Sequence, residues 1–193
     1  QQKQKTRFIT IEGAEGVGKS FFMEHLSKSL NRLGIRHITT REPGGTPVGE
    51  SLRAIFSQPP KNEKLSIEAE FLMISAARSQ HVQHKIIPAL SQGNWVVCDR
   101  YVDSSRVYQG VLGGLSQTFI DMVSSQCTQS LQPEVTFLLD CDVDLSLARV
   151  TKRQMKATDV TRYDQASQSF HQQLRQAFLG LARVHQERIC ILN

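Results

Sequence analysis

The sequence predicts a three-layer, doubly wound α/β domain in which helices cover a parallel five-stranded sheet. Five short apolar runs are rich in Val, Ile, Leu and Phe, as is typical of strands that are buried on both faces. These runs lie at residues 7–12, 37–40, 95–99, 135–140 and 188–192. Stretches with helical periodicity separate them, and this alternation favours parallel strands joined by right-handed crossovers.

The helical stretches fill the intervals between the predicted strands. They are predicted at residues 19–33, 48–56, 67–90, 117–127, 145–151 and 162–183. The 193 residues suit one domain with a sizeable core, and the sequence contains no internal repeat or linker. We therefore expect a single domain over residues 1–193, with a loose polar start at residues 1–6.

A glycine-rich segment lies between the first strand and the first helix. It reads Gly13-Ala14-Glu15-Gly16-Val17-Gly18-Lys19-Ser20 and fits the phosphate-binding pattern G-x-x-x-x-G-K-[ST]. Its glycines let backbone N–H groups point at phosphate oxygens, and the helix N-terminus adds partial positive charge. Lys19 supplies a charge for the outer phosphates and Ser20 a ligand for Mg²⁺. All eight residues are predicted to bind a nucleoside triphosphate, in a fold of the P-loop NTPase type.

Charge and composition indicate which kinds of molecule the protein is expected to bind. The net charge is +5, but many arginines follow predicted strands and no Lys/Arg run is present. Small anionic substrates therefore explain the positive charge better than a nucleic acid does. No apolar run is long enough to span a bilayer, no signal-peptide pattern opens the chain, and the four cysteines lack metal-ligand spacing. We expect a cytoplasmic protein that contacts neither membrane nor nucleic acid.

Four further motifs follow the glycine-rich segment. R-E-P-G-G-T lies at residues 41–46, A-A-R at 76–78, D-R-Y at 99–101 and S-S-x-x-Y-Q-G at 104–110. In this order they resemble the thymidylate kinase family, and the resemblance runs from about Phe8 to the final strand. It implies transfer of the γ-phosphoryl group of ATP to dTMP with Mg²⁺, giving dTDP for dTTP biosynthesis, in a homodimer.

Three arginines are candidates for the acceptor phosphate. Arg41 and Arg100 each follow a predicted strand, and a guanidinium group can grip phosphate with two hydrogen bonds. Arg53 lies early in the next helix. The resemblance implies that all three hold the phosphate of dTMP, whereas surface salt bridges are the alternative.

Two carboxylates near these arginines each allow two interpretations. Asp99 ends the third strand, where it can order Mg²⁺, form an ion pair with an arginine, or do both. Glu15 lies within the glycine-rich segment, and the resemblance implies that it faces the acceptor sugar near its 3′-hydroxyl. It could instead clamp one of the arginines.

The base-binding residues are expected on the long middle helix. Phe71, Ile74 and Arg78 share one helical face, which offers an apolar patch that ends in a hydrogen-bond donor. For Phe71 and Ile74, core packing is an equal alternative. The resemblance implies that Arg78 donates to the thymine carbonyl. It also implies that Gln109 and Ser105 read the remaining edge and that Tyr108 lies under the deoxyribose.

Three features depart from the family pattern, one of which is Phe21 in place of a second hydroxyl residue after Ser20. Ile74 occupies the position of a phenylalanine that usually stacks on thymine, so we expect weaker dTMP binding unless Phe71 turns to fill the gap. The glycine-rich segment lacks the arginine that some relatives carry there, and the resemblance then implies an arginine from a lid. The polar, basic residues 151–161 are the predicted lid. Arg149, Arg153 and Lys156 are its candidates; we favour Arg153 for catalysis and assign Arg149 to ATP.

The expected catalytic set is therefore Lys19, Arg100, Arg153 and Asp99. Another nucleoside monophosphate kinase or a deoxynucleoside kinase is the nearest alternative, followed by a non-catalytic nucleotide-binding protein. A GTP-driven switch would need an N-K-x-D-like motif, which the sequence lacks.

His81 and His84, one helical turn apart, are interpreted as a solvated or interface face rather than a metal site.

Overall fold

A computed structural model of the chain describes residues 7–60, 62–154, 163 and 166–193, without the side chains of residues 153 and 154. Five parallel strands form one sheet in the order β2-β3-β1-β4-β5, and helices cover both of its faces. The strands are β1 Phe8–Glu12, β2 His37–Arg41, β3 Trp95–Asp99, β4 Val135–Leu139 and β5 Ile189–Leu192. The fold class and all five strands agree with the sequence prediction.

Within the described residues, the first six helices span α1 Lys19–Arg32, α2 Pro47–Ser57, α3 Ile67–His81, α4 Ile87–Ser91, α5 Val102–Ser105 and α6 Gln117–Thr128. They are followed by α7 Val143–Gln154 and α8 Gln168–Val184. Two π-helical turns, Val82–Ile86 and Arg106–Val111, continue α3 and α5.

Alternate residues of β3 show how the sheet is covered. Val97 packs into the cluster that α1 covers, whereas Val96 and Cys98 pack on the opposite face with residues of the first π-helical turn and α4. On the β4–β5 side, Leu138 and α8 belong to a third cluster. These two-sided contacts explain why β3 is almost continuously apolar, whereas the edge strand β2 is largely polar.

Three helix predictions need correction. The predicted helix 67–90 is interrupted at Val82–Ile86, because Pro88 lacks an N–H group and its ring crowds the carbonyl four residues earlier. The predicted helix 162–183 begins instead at Gln168, where Ser167 accepts the N–H group of Phe170. The segment Val102–Val111 is helical although its sequence, with Ser, Val and Gly, favours helix weakly.

The predicted lid overlaps a helix at its start. Residues 151–154 continue α7, which contradicts the expectation of an irregular segment from residue 151 onwards. Residues 155–161, including Lys156, lie outside the described residues, as do residues 1–6, and the side chain of Arg153 is not described either.

A buried ion pair ties α5 to the start of β5. The two terminal nitrogens of the Arg188 guanidinium group donate to the carboxylate of Asp103, at 2.6 and 2.7 Å. Arg106 donates to the same carboxylate at 2.9 Å. Burial alone would raise the pKa of Asp103, but the hydrogen bonds and charges of the two arginines lower it below its ordinary value. This pair holds the helix that carries much of the site against the sheet.

Replacing Arg188 tests this anchor. We expect Arg188→Met to lower the free energy of unfolding by about 2–3 kcal/mol at pH 7, because it leaves the Asp103 charge buried with only one arginine. Urea denaturation measures the change. Arg183→Met, at an exposed position of α8, is the control and should cost less than about 0.5 kcal/mol. Equal losses in the two variants would contradict the anchoring role.

Candidate active site

The glycine-rich segment forms a compact loop at the carboxyl edge of the sheet. Gly16 and Gly18 have φ angles of 77° and 102°, a region that side chains other than glycine rarely adopt. A Cβ atom at Gly16 would also collide with the carbonyl oxygen of Ser146 in α7. Lys19 starts α1 and donates to the carbonyl oxygens of Gly13 and Ala14 at 3.1 and 2.9 Å. The loop therefore has the shape that its motif predicts.

Lys19 loses its proton more readily than an exposed lysine does. Burial lowers the pKa of Lys19 to about 8, and the nearby Arg100 adds to this effect, while Asp99 and Glu15 oppose it. An arriving polyphosphate would favour the charged form of the ammonium group.

An ion pair joins the loop to β3. Arg100 donates to Glu15 at 3.0 Å, and the hydroxyl of Tyr108 donates to the same carboxylate oxygen at 2.7 Å. The guanidinium carbon of Arg100 also lies 5.1 Å from the centroid of the Tyr108 ring. Of the two roles considered for Glu15, the structure contains the arginine clamp.

Glu12 organises the segment that follows β3. It is buried and accepts the backbone N–H groups of Tyr101 and Ser104 at 2.8 and 3.2 Å, together with the Ser104 hydroxyl at 2.6 Å. Ser104 in turn accepts a hydrogen bond from Arg100 at 3.1 Å. Burial raises the pKa of Glu12 to about 7, since the opposing effect of Arg100 is smaller. Glu12 belongs to none of the motifs that predicted the site.

The backbone of Arg100 has an uncommon conformation. Its φ angle is 67°, in the left-handed region, and its N–H group donates to the carbonyl oxygen of Ile11 at 2.9 Å. Non-glycine residues adopt such angles at a cost of about 1–3 kcal/mol and are frequent at functional sites. The strain turns the chain so that the guanidinium group faces the glycine-rich loop.

Ser20 and Asp99 line one groove beside the loop, together with Arg41. The Oδ1 atom of Asp99 is buried and accepts no hydrogen bond from the described part of the chain. A carboxylate oxygen left in this state, next to a serine hydroxyl, matches the oxygen ligands that Mg²⁺ prefers. These two residues therefore fit a magnesium ion.

A second cavity is lined in part by Arg100. It encloses about 580 Å³, part of which is open to solvent. The residues that line it are Glu15, Glu42, Pro43, Arg53, Phe56, Ser57, Ile74, Arg78, Arg100, Ser104, Ser105, Tyr108, Gln109 and Tyr163. Eight of the nine residues expected to bind dTMP are in this set; Arg41 is not.

Arg41 and Arg53 have different surroundings. Arg41 pairs with Glu50 at 3.1 Å and lines the groove of Ser20 and Asp99. Arg53 lines the cavity, where it donates to the Pro43 carbonyl oxygen at 2.9 Å. In this structure Arg41 thus lies at the carboxyl edge but outside the cavity that contains Arg53.

Polar side chains form one wall of the cavity. Arg78 is buried and donates to Glu42 at 2.6 Å, to the Ser105 hydroxyl at 3.2 Å and to the Tyr101 carbonyl at 3.0 Å. The side-chain N–H group of Gln109 donates to Glu70 at 2.6 Å. Its carbonyl oxygen is buried and has no partner among the described residues. Arg78 and Gln109 therefore hold fixed orientations at the cavity wall.

The remaining lining of the cavity includes aromatic rings together with the aliphatic side chain of Ile74. Phe71 is fully buried, packs edge-on against Phe119 and does not line the cavity, so it does not fill the gap beside Ile74. Phe56 of α2 and Tyr163 supply rings instead, with centroids 6.3 Å apart. Neither was predicted to line the site, since Phe56 belongs to no motif and Tyr163 comes after the predicted lid in the sequence.

The remaining expectations concern the loop's outer side and the histidines. Arg149 of α7 lines a groove beside Gly18 and approaches the Gly16 carbonyl oxygen at 3.5 Å. His84 is exposed, as expected. The interpretation of His81 is wrong, because its side chain is completely buried between Thr40 and Glu42.

Comparison with known proteins gives one consistent result. The family model described as thymidylate kinase matches residues 11–193. A thymidylate kinase of Chlamydia trachomatis serovar D is 42% identical over 188 residues, which cover 96% of this chain and 90% of that protein. One of Symbiobacterium thermophilum is 39% identical, covering 96% and 84%. A crystal structure of thymidylate kinase from Ehrlichia chaffeensis has a TM-score of 0.79 and 29% identity, covering 98% and 94%.

The lowered pKa of Lys19 gives a prediction for calorimetry. Metal-free ATP should raise this pKa on binding, so the complex should take up about half a proton at pH 8 and more at pH 9. Titrations in two buffers with different ionisation enthalpies measure the uptake. A binding enthalpy that does not depend on the buffer between pH 8 and 9 would show that Lys19 is already fully charged.

Proposed function

The chain belongs to the thymidylate kinase family, and we propose that it transfers the γ-phosphoryl group of ATP to dTMP at the carboxyl edge of its sheet. The products are ADP and dTDP, and the latter feeds dTTP biosynthesis. One observation carries the assignment of the site: Arg100, which lines the cavity, forms an ion pair with Glu15 of the glycine-rich loop. The donor and acceptor sites thus adjoin at a single arginine.

The donor site consists of the loop residues 13–20 and Arg149. Backbone N–H groups of the loop and the start of α1 bind the phosphates of ATP, and Lys19 moves from its two loop carbonyls to the outer phosphates. Arg149 approaches the loop from α7 and contributes positive charge on its outer side. This half of the proposal rests on the motif and on the loop conformation.

The acceptor site is the cavity beside Arg100. Arg53 and Arg100 hold the 5′-phosphate, and Arg41 joins them when it leaves Glu50. Arg78 donates to a thymine carbonyl, while Ser105 and Gln109 bind the remaining polar edge. The Tyr108 ring lies against the deoxyribose, near Glu15.

The chemistry needs alignment more than acid–base catalysis. An oxygen of the dTMP phosphate attacks the γ-phosphorus of ATP, and the bond to the bridging oxygen of ADP breaks. Lys19 and Arg100 offset the negative charge of the migrating group, with Arg153 as the proposed third cation. Ser20 and Asp99 would hold Mg²⁺, which neutralises phosphate charge when it is bound.

Assembly and location are also proposals. None of the described helices combines the length and apolarity needed to cross a membrane. We propose a cytoplasmic enzyme that acts on free nucleotides, without nucleic acid, and that forms a homodimer through its long helices. The family membership supports this arrangement.

Initial rates of ADP formation with ATP and Mg²⁺ test the activity. The acceptors are dTMP, dUMP, dCMP, dGMP and thymidine, and dTMP should give the highest kcat/KM. Lys19→Ala should keep the wild-type melting temperature within a few degrees but lose at least about a hundredfold in kcat. Lys28→Ala removes an exposed lysine of the same helix, which pairs with Glu24, and should stay within twofold. Activity of Lys19→Ala close to that of Lys28→Ala would refute the donor site.

Ile74→Phe tests the base pocket. A ring at this position would stack on thymine, and stacking contributes about 1–3 kcal/mol per base in nucleotide-binding proteins. We therefore expect a KM for dTMP at least about fivefold lower, with the KM for ATP unchanged. Leu72→Phe, at an exposed position of the same helix, is the control. If Ile74→Phe leaves or raises the KM for dTMP, the space beside Ile74 is not a stacking position.

A further inference from the structure

His81 ends α3 and is buried at the junction with the first π-helical turn. Its Nδ1 atom lies 2.9 Å from an oxygen of Glu42, and its Nε2 atom lies 2.7 Å from the hydroxyl of Thr40. Because the carboxylate that faces it can only accept, Nδ1 carries the proton and donates to Glu42. Both ring nitrogens are therefore engaged in defined hydrogen bonds.

The second oxygen of Glu42 leads to the cavity. It accepts the Nε–H group of Arg78 at 2.6 Å, while the outer nitrogens of Arg78 donate to Ser105 and to the Tyr101 carbonyl. His81, Glu42 and Arg78 are all at least 97% buried. A continuous hydrogen-bonded chain thus runs from Thr40 in β2 through His81 and Glu42 to Arg78.

His81 also lies beneath the loop that follows β2. A Cβ atom placed on Gly45 would lie 2.5 Å from the imidazole ring, so the loop rests directly on His81. Gly45 has a φ angle of 80°, which fixes the turn at this contact. The same loop carries Pro43, whose carbonyl oxygen accepts from Arg53. His81 therefore supports two features of the cavity. It contacts Arg78 through Glu42, and it contacts the loop whose Pro43 carbonyl oxygen accepts from Arg53.

We infer that His81 is a positioning residue for dTMP, one that acts through Glu42 to hold the guanidinium group of Arg78 and that supports the loop at Gly45. This inference rests on the proposed function, because it assigns the oriented guanidinium group to the pyrimidine base. His81 itself does not line the cavity. A side chain that is already oriented before binding loses less conformational entropy when the ligand binds.

A metal site is the competing explanation for the same group of atoms. One ligand atom each from Glu42, His81 and Cys98 lies within 4.8 Å of the others. However, the cationic Arg78 already occupies Glu42, and burial raises the pKa of the Cys98 thiol well above its ordinary value. A cation would have to displace the proton that joins His81 to Glu42. The contacts favour the hydrogen-bonded chain.

The test compares His81→Leu with His81→Asn, whose side chains have the same number of heavy atoms and both branch at Cγ. The asparagine amide can replace Nδ1–H as a donor to Glu42, whereas leucine leaves that carboxylate oxygen without a partner. We expect His81→Leu to raise the KM for dTMP about tenfold, with kcat reduced less than threefold and the KM for ATP within twofold. His81→Asn should restore most of the loss.

One control variant and one substitute pair guard against loss of the fold. His84→Leu changes an exposed histidine of the adjacent π-helical turn and should leave both KM values unaltered. If His81→Leu does not fold, Thr40→Val and Thr40→Ser replace it, since only serine keeps the hydroxyl that contacts Nε2. Thr40→Val should then raise the KM for dTMP about threefold above that of Thr40→Ser.

Several outcomes would overturn the inference. Equal KM values for dTMP in His81→Leu and His81→Asn, or a parallel rise in the KM for ATP, would show a structural role only. Stoichiometric zinc in the purified wild-type protein, with lower activity after chelation, would instead establish the metal site. Wild-type protein that does not phosphorylate dTMP would refute the proposed function. Calorimetric dTMP binding by the same variants would then still test the hydrogen-bonded chain.

Discussion

Parallel pairing of β1, β2 and β3 is the constraint on which the site depends. Backbone hydrogen bonds put Arg41 beside Asp99 and Asp99 beside Ile11, so all three strands end along one line. The residues that follow the three strands are therefore brought close together by the backbone pairing alone. Glu12, Glu42 and Arg100 are close together because they each come within one residue of that line. A loss of register in any of these strands would separate the two anion-binding regions.

Several charges are buried near this edge, and each has a specific partner. Glu42 has Arg78 and His81, Asp103 has Arg188 and Arg106, and Glu12 accepts three hydrogen bonds. Such groups contribute little net stability compared with apolar packing, but removing one partner is costly. They connect the loops that follow the strands to one another and to neighbouring helices. The side chains proposed to bind the substrates are thereby held in defined positions.

Sequence patterns identified the strands, the glycine-rich loop and most cavity residues, because those features follow from apolar periodicity and local motifs. They missed the helical segment Val102–Val111, whose conformation depends on the distant residues Glu12 and Arg188 rather than on propensity. The burial of His81 agrees with helical spacing, which puts it on the same face of α3 as Ile74 and Arg78. The sequence does not show its partners, because Thr40 and Glu42 come from β2 and the loop after it. Phe56 and Tyr163 come from separate elements that only the tertiary fold brings together.

Ile74 carries a consequence for inhibitor chemistry. A branched aliphatic side chain is smaller than the phenylalanine that the resemblance implies at this position, and the rings of Phe56 and Tyr163 bound the cavity elsewhere. If the base lies beside Ile74 as proposed, a pyrimidine analogue with a bulky substituent directed at this residue would clash with a phenylalanine at the same position. Discrimination of this type relies on steric exclusion, which penalises the unwanted target more strongly than an added contact rewards the wanted one. A substituent directed at Ile74 would thus make an inhibitor selective for this protein over family members that share its substrate.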